Sequence, residues 1–193
     1  MPRAFVVRPA ATVVDLDATV ELFAMVVAED LWLGAEPPAD RAGQRRRLLE
    51  RMEAGNPGAS LVAVTVDGGR VIGHVGIDVA PYNVASLGMI VDARWRGRGV
   101  GGALVEAAVD WSRQRGAHKV ALQVWTHNDA ARRLYRRHGF VEEGFLHRHY
   151  RRRSGELWDA VVMGLVLDHT SPGSSVPSSP TQGAEAPRRP VIP

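Results

Sequence analysis

A mixed α+β domain is predicted, with about seven mostly antiparallel strands and about four helices around one core. Three observations predict it. Strand-like apolar runs cluster in the middle of the chain around Asp67-Gly68-Gly69, two segments of helical periodicity precede them, and two more alternate with strands after the turn Arg96-Gly97-Arg98-Gly99-Val100-Gly101. The chain has 193 residues, 45% of them hydrophobic, enough for one domain with a full core.

In order, Phe5 to Arg8 reads as a short strand. Asp15 to Leu31 carries Leu16, Val20, Phe23, Val27 and Leu31 at helical spacing, with Asp15 or Asp17 suited to its start. A second helix is predicted over Ala39 to Ala54, after Pro37 and Pro38 and before the breakers Gly55, Asn56, Pro57 and Gly58. Leu61 to Val66 and Arg70 to Val79 flank Asp67-Gly68-Gly69 as a hairpin, since Asp and Gly accept the positive φ of tight turns. Ala85 to Val91 extends the meander and leads into the glycine turn and the helix Gly99 to Arg115, whose inner face is read as Leu104, Ala108 and Trp111. Lys119 to Trp125 alternates as a strand. Asn128 then caps a helix with Ala131, Leu134, Tyr135 and His138 on one face, ended by Gly139. Phe140 to Tyr150 and Leu157 to Leu167 are the last strands, joined near Ser154-Gly155. Residues 1–169 form the domain; from Thr170 the chain turns to Ser, Pro, Gly and Thr and reads as a disordered tail.

Composition narrows the function classes. There is no cysteine, which excludes a disulfide framework, a thiolate metal site and a cysteine nucleophile. No apolar run approaches the ~20 residues of a membrane span, and Met1 to Ala10 lacks a signal-peptide core, so a soluble cytoplasmic protein without membrane partners is expected. Lys119 is the lone lysine; the arginine clusters at Arg45 to Arg47, Arg94 to Arg98, Arg132 to Arg137 and Arg148 to Arg153 are separated by acidic segments, which reads as solvated faces and not as a nucleic-acid footprint. His147 and His149, two apart and read as sharing one strand face, could suggest a metal but lack a third ligand at characteristic spacing, so no metal is expected.

The glycine turn is the feature suited to chemistry. A strand that enters a helix through glycines leaves several backbone N–H groups unpaired at the positive end of the helix dipole, where backbone can approach a phosphate or pyrophosphate closely. No Gly-Lys-Ser or Gly-Lys-Thr follows, which argues against a P-loop, and the meander argues against a Rossmann unit.

Two motifs carry a family resemblance. Arg96, Gly99 and Gly101 fit the pattern Arg or Gln, two residues, Gly, one residue, Gly or Ala; Asn128, Ala131, Leu134, Tyr135, Gly139 and Phe140 fit N-x-x-A-x-x-L-Y-x-x-x-G-F. With the element order, these make the chain resemble the GNAT superfamily of acyl-CoA-dependent N-acyltransferases from about Arg3 to Leu167. The resemblance implies a sheet splayed between Ala85–Val91 and Lys119–Trp125, with acetyl-CoA as cosubstrate and a small-molecule amine as acceptor. It implies that the backbone of Met89, Ile90 and Val91 pairs with the pantetheine arm, and that N–H groups of Arg98, Gly99, Val100, Gly101, Gly102 and Ala103, with Arg96, receive the pyrophosphate. Asn128 and Ala131 line the arm. The N–H of Val91 or its neighbour polarises the thioester carbonyl. Tyr135 is the implied general acid for the departing thiolate, because a phenol of reference pKa ~10 stays protonated at neutral pH.

Many family members carry a glutamate base on the strand before the turn, whereas Ala85 to Val91 contains no carboxylate. His74 and Asp78 on the preceding strand, or a water relay, are the candidates. An α-amine of reference pKa ~8 needs less help than a lysine amine near ~10.4, which leans toward α-amine acceptors. Gly155 to Met163 also resembles the final strand of members that acetylate amino acids and related amines. The competing readings are a protein N-terminal or antibiotic-amine acetyltransferase and a coenzyme A-binding regulatory module without turnover. A homodimer is allowed by the sequence and not specified by it.

Overall fold

The computed structural model describes residues 4–53 and 55–167; the tail reading for 170–193 lies outside the described residues. The elements are β1 (Phe5–Pro9), α1 (Val13–Val27), α2 (Arg41–Met52), β2 (Ala59–Thr65), β3 (Val71–Ala80), β4 (Val84–Val91), α3 (Val100–Gln114), β5 (Lys119–Trp125), α4 (Asp129–Arg137), β6 (Val141–Arg151) and β7 (Leu157–Val166), with a 3-10 turn at Ala93–Trp95. They form one mixed sheet of order β1-β2-β3-β4-β5-β7-β6. Among the described residues its sole parallel pairing is β4 with β5. No helix among the described residues is long and apolar enough to cross a membrane.

Two helix boundaries differ from the sequence reading for local reasons. Thr12 caps α1 and Asp15 sits at the third helical position, its carboxylate taking both Arg8 guanidinium nitrogens at 2.7 and 2.8 Å and the N–H of Ala11 at 3.0 Å. The Asp15 N–H donates to Thr12 Oγ1 at 3.1 Å and the Thr12 N–H to Asp15 Oδ2 at 3.2 Å, a reciprocal box that starts the helix before Asp15. α1 stops at Val27 although apolar spacing continues to Leu31, because Asp30 turns into the left-handed region at φ 49°. Asp40 caps α2 through the N–H of Gly43 at 2.8 Å.

The sheet has a core on each face. α3 lays Val100, Leu104 and Ala108 on Ile72, Val75, Ile77 and Leu87. Gly73 permits this approach, since a Cβ there would stand 2.9 Å from Leu104 and 3.0 Å from Val100. The inner line of α3 runs Leu104, Ala108 and Ser112; Trp111 is half-buried under Arg115 instead of lying in the core. Ser112 tolerates the interior because its hydroxyl donates to the Ala108 carbonyl at 2.8 Å. On the other face α1 packs Leu22, Phe23, Val26 and Val27 against Val62, Val64, Val71 and Ile90.

β4 and β5 pair through Val84–Lys119, Ala85–Val120 and Ser86–Ala121 and then part. Each keeps its other neighbour, β4 staying on β3 to Gly73–Val91 and β5 on β7 to Trp125–Ala160. The resulting V matches the splay implied by the resemblance.

His74 lies opposite Val62 and Ile90, on the face covered by α1, fully buried with its Nε2 unpartnered. Burial, reinforced by Arg51, pulls its pKa down to about 3. An unfolded histidine titrates near ~6.5, so below that pH the unfolded chain binds a proton that the folded chain refuses, and stability is lost as pH falls from ~6.5 toward the folded value. Between pH 7 and 5 this amounts to about 2 kcal/mol. His74→Gln is expected to remove that slope, read as the change in urea unfolding free energy between the two pH values. An identical slope in both proteins would contradict a neutral buried His74.

Candidate active site

Asp92 follows β4 and donates its N–H to the Ile72 carbonyl at 2.9 Å, while its buried carboxylate binds Arg94 and Arg70 and is held below the usual carboxylate range mainly by Arg94. This pins the start of the turn. Gly99 then takes φ 84°, a left-handed value that costs glycine little, and serves as the N-cap of α3 with no side chain in the way. The N–H of Ala103 closes the first helical turn onto the Gly99 carbonyl at 3.1 Å. Among the described residues, none of the N–H groups of Arg98, Gly99, Val100, Gly101 and Gly102 has an acceptor. Five consecutive donors therefore stand free at the positive end of a 15-residue helix. Ala103, assigned to this set from sequence, leaves it because its N–H is already spent.

The V between β4 and β5 opens into a cleft of about 570 Å3 that begins at this turn. One wall is the backbone of β4. Because the N–H of Asp92 points at β3, alternation turns the N–H and C=O groups of Val91 and Met89 toward the cleft and those of Ile90 toward β3. Arg96 Nε already occupies the Val91 carbonyl at 3.1 Å. The side chain of Ile90 packs in the α1 core, so Ile90 is removed from the cosubstrate set, by parity of the strand.

The opposite wall comes from β5 and α4, with Val124, Trp125, Asn128, Ala131, Leu134 and Tyr135. α4 comes close because Gly101 presents no side chain; a Cβ there would sit 3.0 Å from Leu134. Asn128 accepts the Ala131 N–H at 3.1 Å through its carbonyl oxygen and still borders the cleft. Tyr135 is buried, tilted on Phe140 at 5.6 Å, and its hydroxyl makes no hydrogen bond among the described residues. Desolvation pushes its pKa up to about 12, which keeps the phenol protonated.

Other sequence candidates sit elsewhere. His74 is under α1, and Asp78 is bound by Arg51 at 2.6 and 2.9 Å; neither lines the cleft. Arg96 borders it but pairs with Glu29 at 2.6 and 2.7 Å and lies over Trp32 at 5.7 Å, while Arg98 lies over Trp95 at 5.5 Å. Arg96 is also the main cause of the lowered Glu29 pKa. His147 and His149 do not share a face by simple alternation, since the strand is irregular there and Arg148 between them has φ 48°. His147 approaches Asp159 at 3.3 Å, and His149 packs its edge on Tyr150.

Sequence reasoning missed the far end of the cleft. Trp32, Leu33 and Gly34, from the irregular segment between α1 and α2, form its wall with Trp125 and Tyr150, whose hydroxyl donates to Gln123. No periodicity marks these residues.

The likeness to known proteins concerns the family and the fold. Residues 21–140 match the acetyltransferase (GNAT) family. The chain is 35% identical over 137 residues to the L-amino acid N-acetyltransferase AaaT of Escherichia coli K12, across 67% of this chain and 78% of that protein. It is 39% identical over 90 residues to the N-alpha-acetyltransferase RimI of Mycobacterium tuberculosis, across 44% of this chain and 54% of that protein. In fold it is similar, with a TM-score of 0.75 and 21% identity, to yncA from Salmonella typhimurium, solved with its cofactor acetyl-CoA; 89% of this chain and 99% of that one are covered. The chain belongs to the acetyltransferase (GNAT) family. It is an acetyl-CoA-dependent N-acetyltransferase, and the unpaired donors of the turn fit a pyrophosphate.

At Gly99 a Cβ would meet nothing within 4 Å, and Asp and Asn are the residues that best tolerate a left-handed backbone. Gly99→Asp should therefore fold yet weaken acetyl-CoA binding at least roughly tenfold through repulsion of the phosphates, with Gly99→Asn within about threefold of the parent. Calorimetry with equal affinities for the two variants would contradict a pyrophosphate at this turn.

Proposed function

We propose that the acceptor is an amino acid or a related small primary amine, acetylated by direct transfer from acetyl-CoA. The observation that carries this reading is the aromatic wall of the cleft, where Trp32, Leu33 and Gly34 line it together with Trp125 and Tyr150 and the Cβ position of Gly34 lies 3.9 Å from the Trp125 ring. Such a wall suits a small acceptor better than a chain that must run on past its amine. The likeness to an L-amino acid N-acetyltransferase over two thirds of the sequence supports it.

The chemistry assigned to each residue follows from the cleft. The N–H groups of Arg98 to Gly102 hold the pyrophosphate, and the backbone of Val91 and then Met89 aligns the pantetheine arm as it runs back along β4. The N–H of Met89, at the far end of the arm, meets the carbonyl oxygen as negative charge develops on it. The amine attacks the carbonyl carbon, the carbon–sulfur bond breaks, and Tyr135 gives its proton to the thiolate. Neither a carboxylate nor a histidine lines the cleft among the described residues, so the amine reaches the carbonyl neutral, the proton it sheds once bonded to carbon passes to water, and water returns a proton to Tyr135. At pH 7.5 a lysine amine is neutral at about the 0.1% level and an α-amine of pKa ~8 at about the 25% level, which disfavours the lysine amine by roughly two hundredfold.

That same lack of a base favours one second reading, a peptide N-terminus, whose amine titrates near ~8. A thiol-release screen of acetyl-CoA against free amino acids, polyamines, aminoglycosides and short peptides separates the two. The proposal expects kcat/KM for an amino acid to exceed that for any peptide, aminoglycoside or polyamine at least tenfold; a peptide or antibiotic amine at the top of the ranking overturns it.

Tyr135→Phe keeps the ring that packs on Phe140 and removes only the proton donor. Its single-turnover acetyl-transfer rate should fall about 10²-fold with acetyl-CoA affinity unchanged. With the phenol titrating at about 12, the parent rate at saturating acceptor should show no alkaline decline up to pH 9.5. A parent-like single-turnover rate in the variant from pH 6 to 9 removes Tyr135 from the mechanism.

A further inference from the structure

Arg152 lies in the turn between β6 and β7 and is 5% exposed. A buried guanidinium costs several kcal/mol of desolvation unless its donors are met. Here they are met almost wholly by one distant segment. Its two terminal nitrogens reach the Leu33 carbonyl at 3.0 Å, the Gly34 carbonyl at 3.4 Å and Asp30 Oδ1 at 2.6 Å, and its Nε stands 3.8 Å from Glu36. Its guanidinium lies over the Trp158 ring at 4.2 Å, and Trp158 packs nearly perpendicular to Trp125, in the wall of the cleft, with ring centres 5.4 Å apart. Arg153 adds its N–H to Glu36 at 3.0 Å and its guanidinium to the Pro37 carbonyl at 2.8 Å.

The partners decide the role. Leu33 and Gly34 are cleft-wall residues, and the carbonyls bound by Arg152 are theirs. Residues 28–40 form neither helix nor strand, so this stretch lacks a regular hydrogen-bond ladder to hold it. An ion-paired arginine adds little to stability compared with an apolar side chain of equal size. What it supplies is a fixed place for a segment that otherwise has many, with a planar fork of donors that fixes direction as well as distance.

We propose that Arg152 is a specificity-determining positioning residue: by strapping residues 30–36 onto the β6–β7 turn it closes the acceptor end of the cleft, confining the enzyme to small amines and excluding peptides. This rests on the small-amine reading given above. Arg152 itself touches no reacting atom. It acts through Leu33 and Gly34, so its loss should change acceptor binding and selection far more than the chemical step.

The test compares kcat and KM for the common L-amino acids with those for tripeptides carrying the same residue at the N-terminus. Arg152→Met retains a stem that packs on Trp158 and loses every donor. The expected result is a KM for amino acids raised at least tenfold, kcat within about threefold, acetyl-CoA affinity unchanged, and the tripeptide-to-amino-acid ratio of kcat/KM raised at least tenfold. Arg152→Lys, which keeps the charge but not the fork, should lie between. An unchanged ratio in an Arg152→Met protein that binds acetyl-CoA normally overturns the proposal. Should that variant fail to bind acetyl-CoA, the double variant Asp30→Asn, Glu36→Gln loosens the strap from the loop side, and an unchanged ratio there overturns it equally. A parent enzyme that already prefers tripeptides refutes the small-amine reading, whereas the strap is judged by how the ratio moves between parent and variant.

Discussion

Backbone N–H and C=O groups demand partners, and the site depends on one place where the sheet withholds them. β4 and β5 share three residue pairs and then separate, each held by its outer neighbour. Past Ser86 the inner edge of β4 has no strand beside it, and its N–H and C=O groups at Met89 and the N–H of Val91 are left for a ligand. The same geometry governs the turn that follows. Gly99 accepts a left-handed φ, and Gly101 lets Leu134 of α4 approach, so the free N–H groups of α3 lie at the mouth of the same opening. In the proposed reading, cosubstrate recognition thus rests mainly on backbone in two adjoining segments, with side chains shaping the walls.

The segment between α1 and α2 completes the cleft by being tied at both ends. At its start Glu29 receives Arg96 from the glycine turn and the Trp32 indole N–H at 2.6 Å; at its end Arg152 and Arg153 bind Leu33, Gly34, Glu36 and Pro37. Between them the Leu31 carbonyl lies 3.0 Å from His127 Nε2. Arg96, which the motif alone assigns to phosphate, therefore also joins the glycine turn to the segment between α1 and α2. Tyr135 sits between the two regions, and desolvation there preserves its proton.

What was legible in the sequence follows from where the information resides. Glycines at positive φ and the Asn128 cap are local requirements, so the turn, α4 and the β4–β5 splay could be read, the last through two motifs spaced by a helix and a strand. The parity of β4 could not. An apolar run such as Leu87 to Val91 does not say which residues face the cleft, and only the bond from Asp92 to Ile72 separates Met89 and Val91 from Ile90. For the same reason His74 read as a base candidate, although its partners Val62 and Ile90 put it beneath α1. Arg152 was illegible too: it is one arginine among several in Arg148 to Arg153, and its importance arises from contacts well over a hundred residues away in sequence.

The central claim is that unpaired backbone donors of the β4–α3 junction bind the cosubstrate, and amide chemical shifts test it directly. Titration with coenzyme A should move the amide resonances of Arg98 to Gly102, together with Met89 and Val91, and leave Ile90 in its pairing with β3. Pantetheine, which lacks the pyrophosphate, should move Met89 and Val91 alone. Saturation with coenzyme A that leaves the Arg98 to Gly102 amides unmoved would contradict the account.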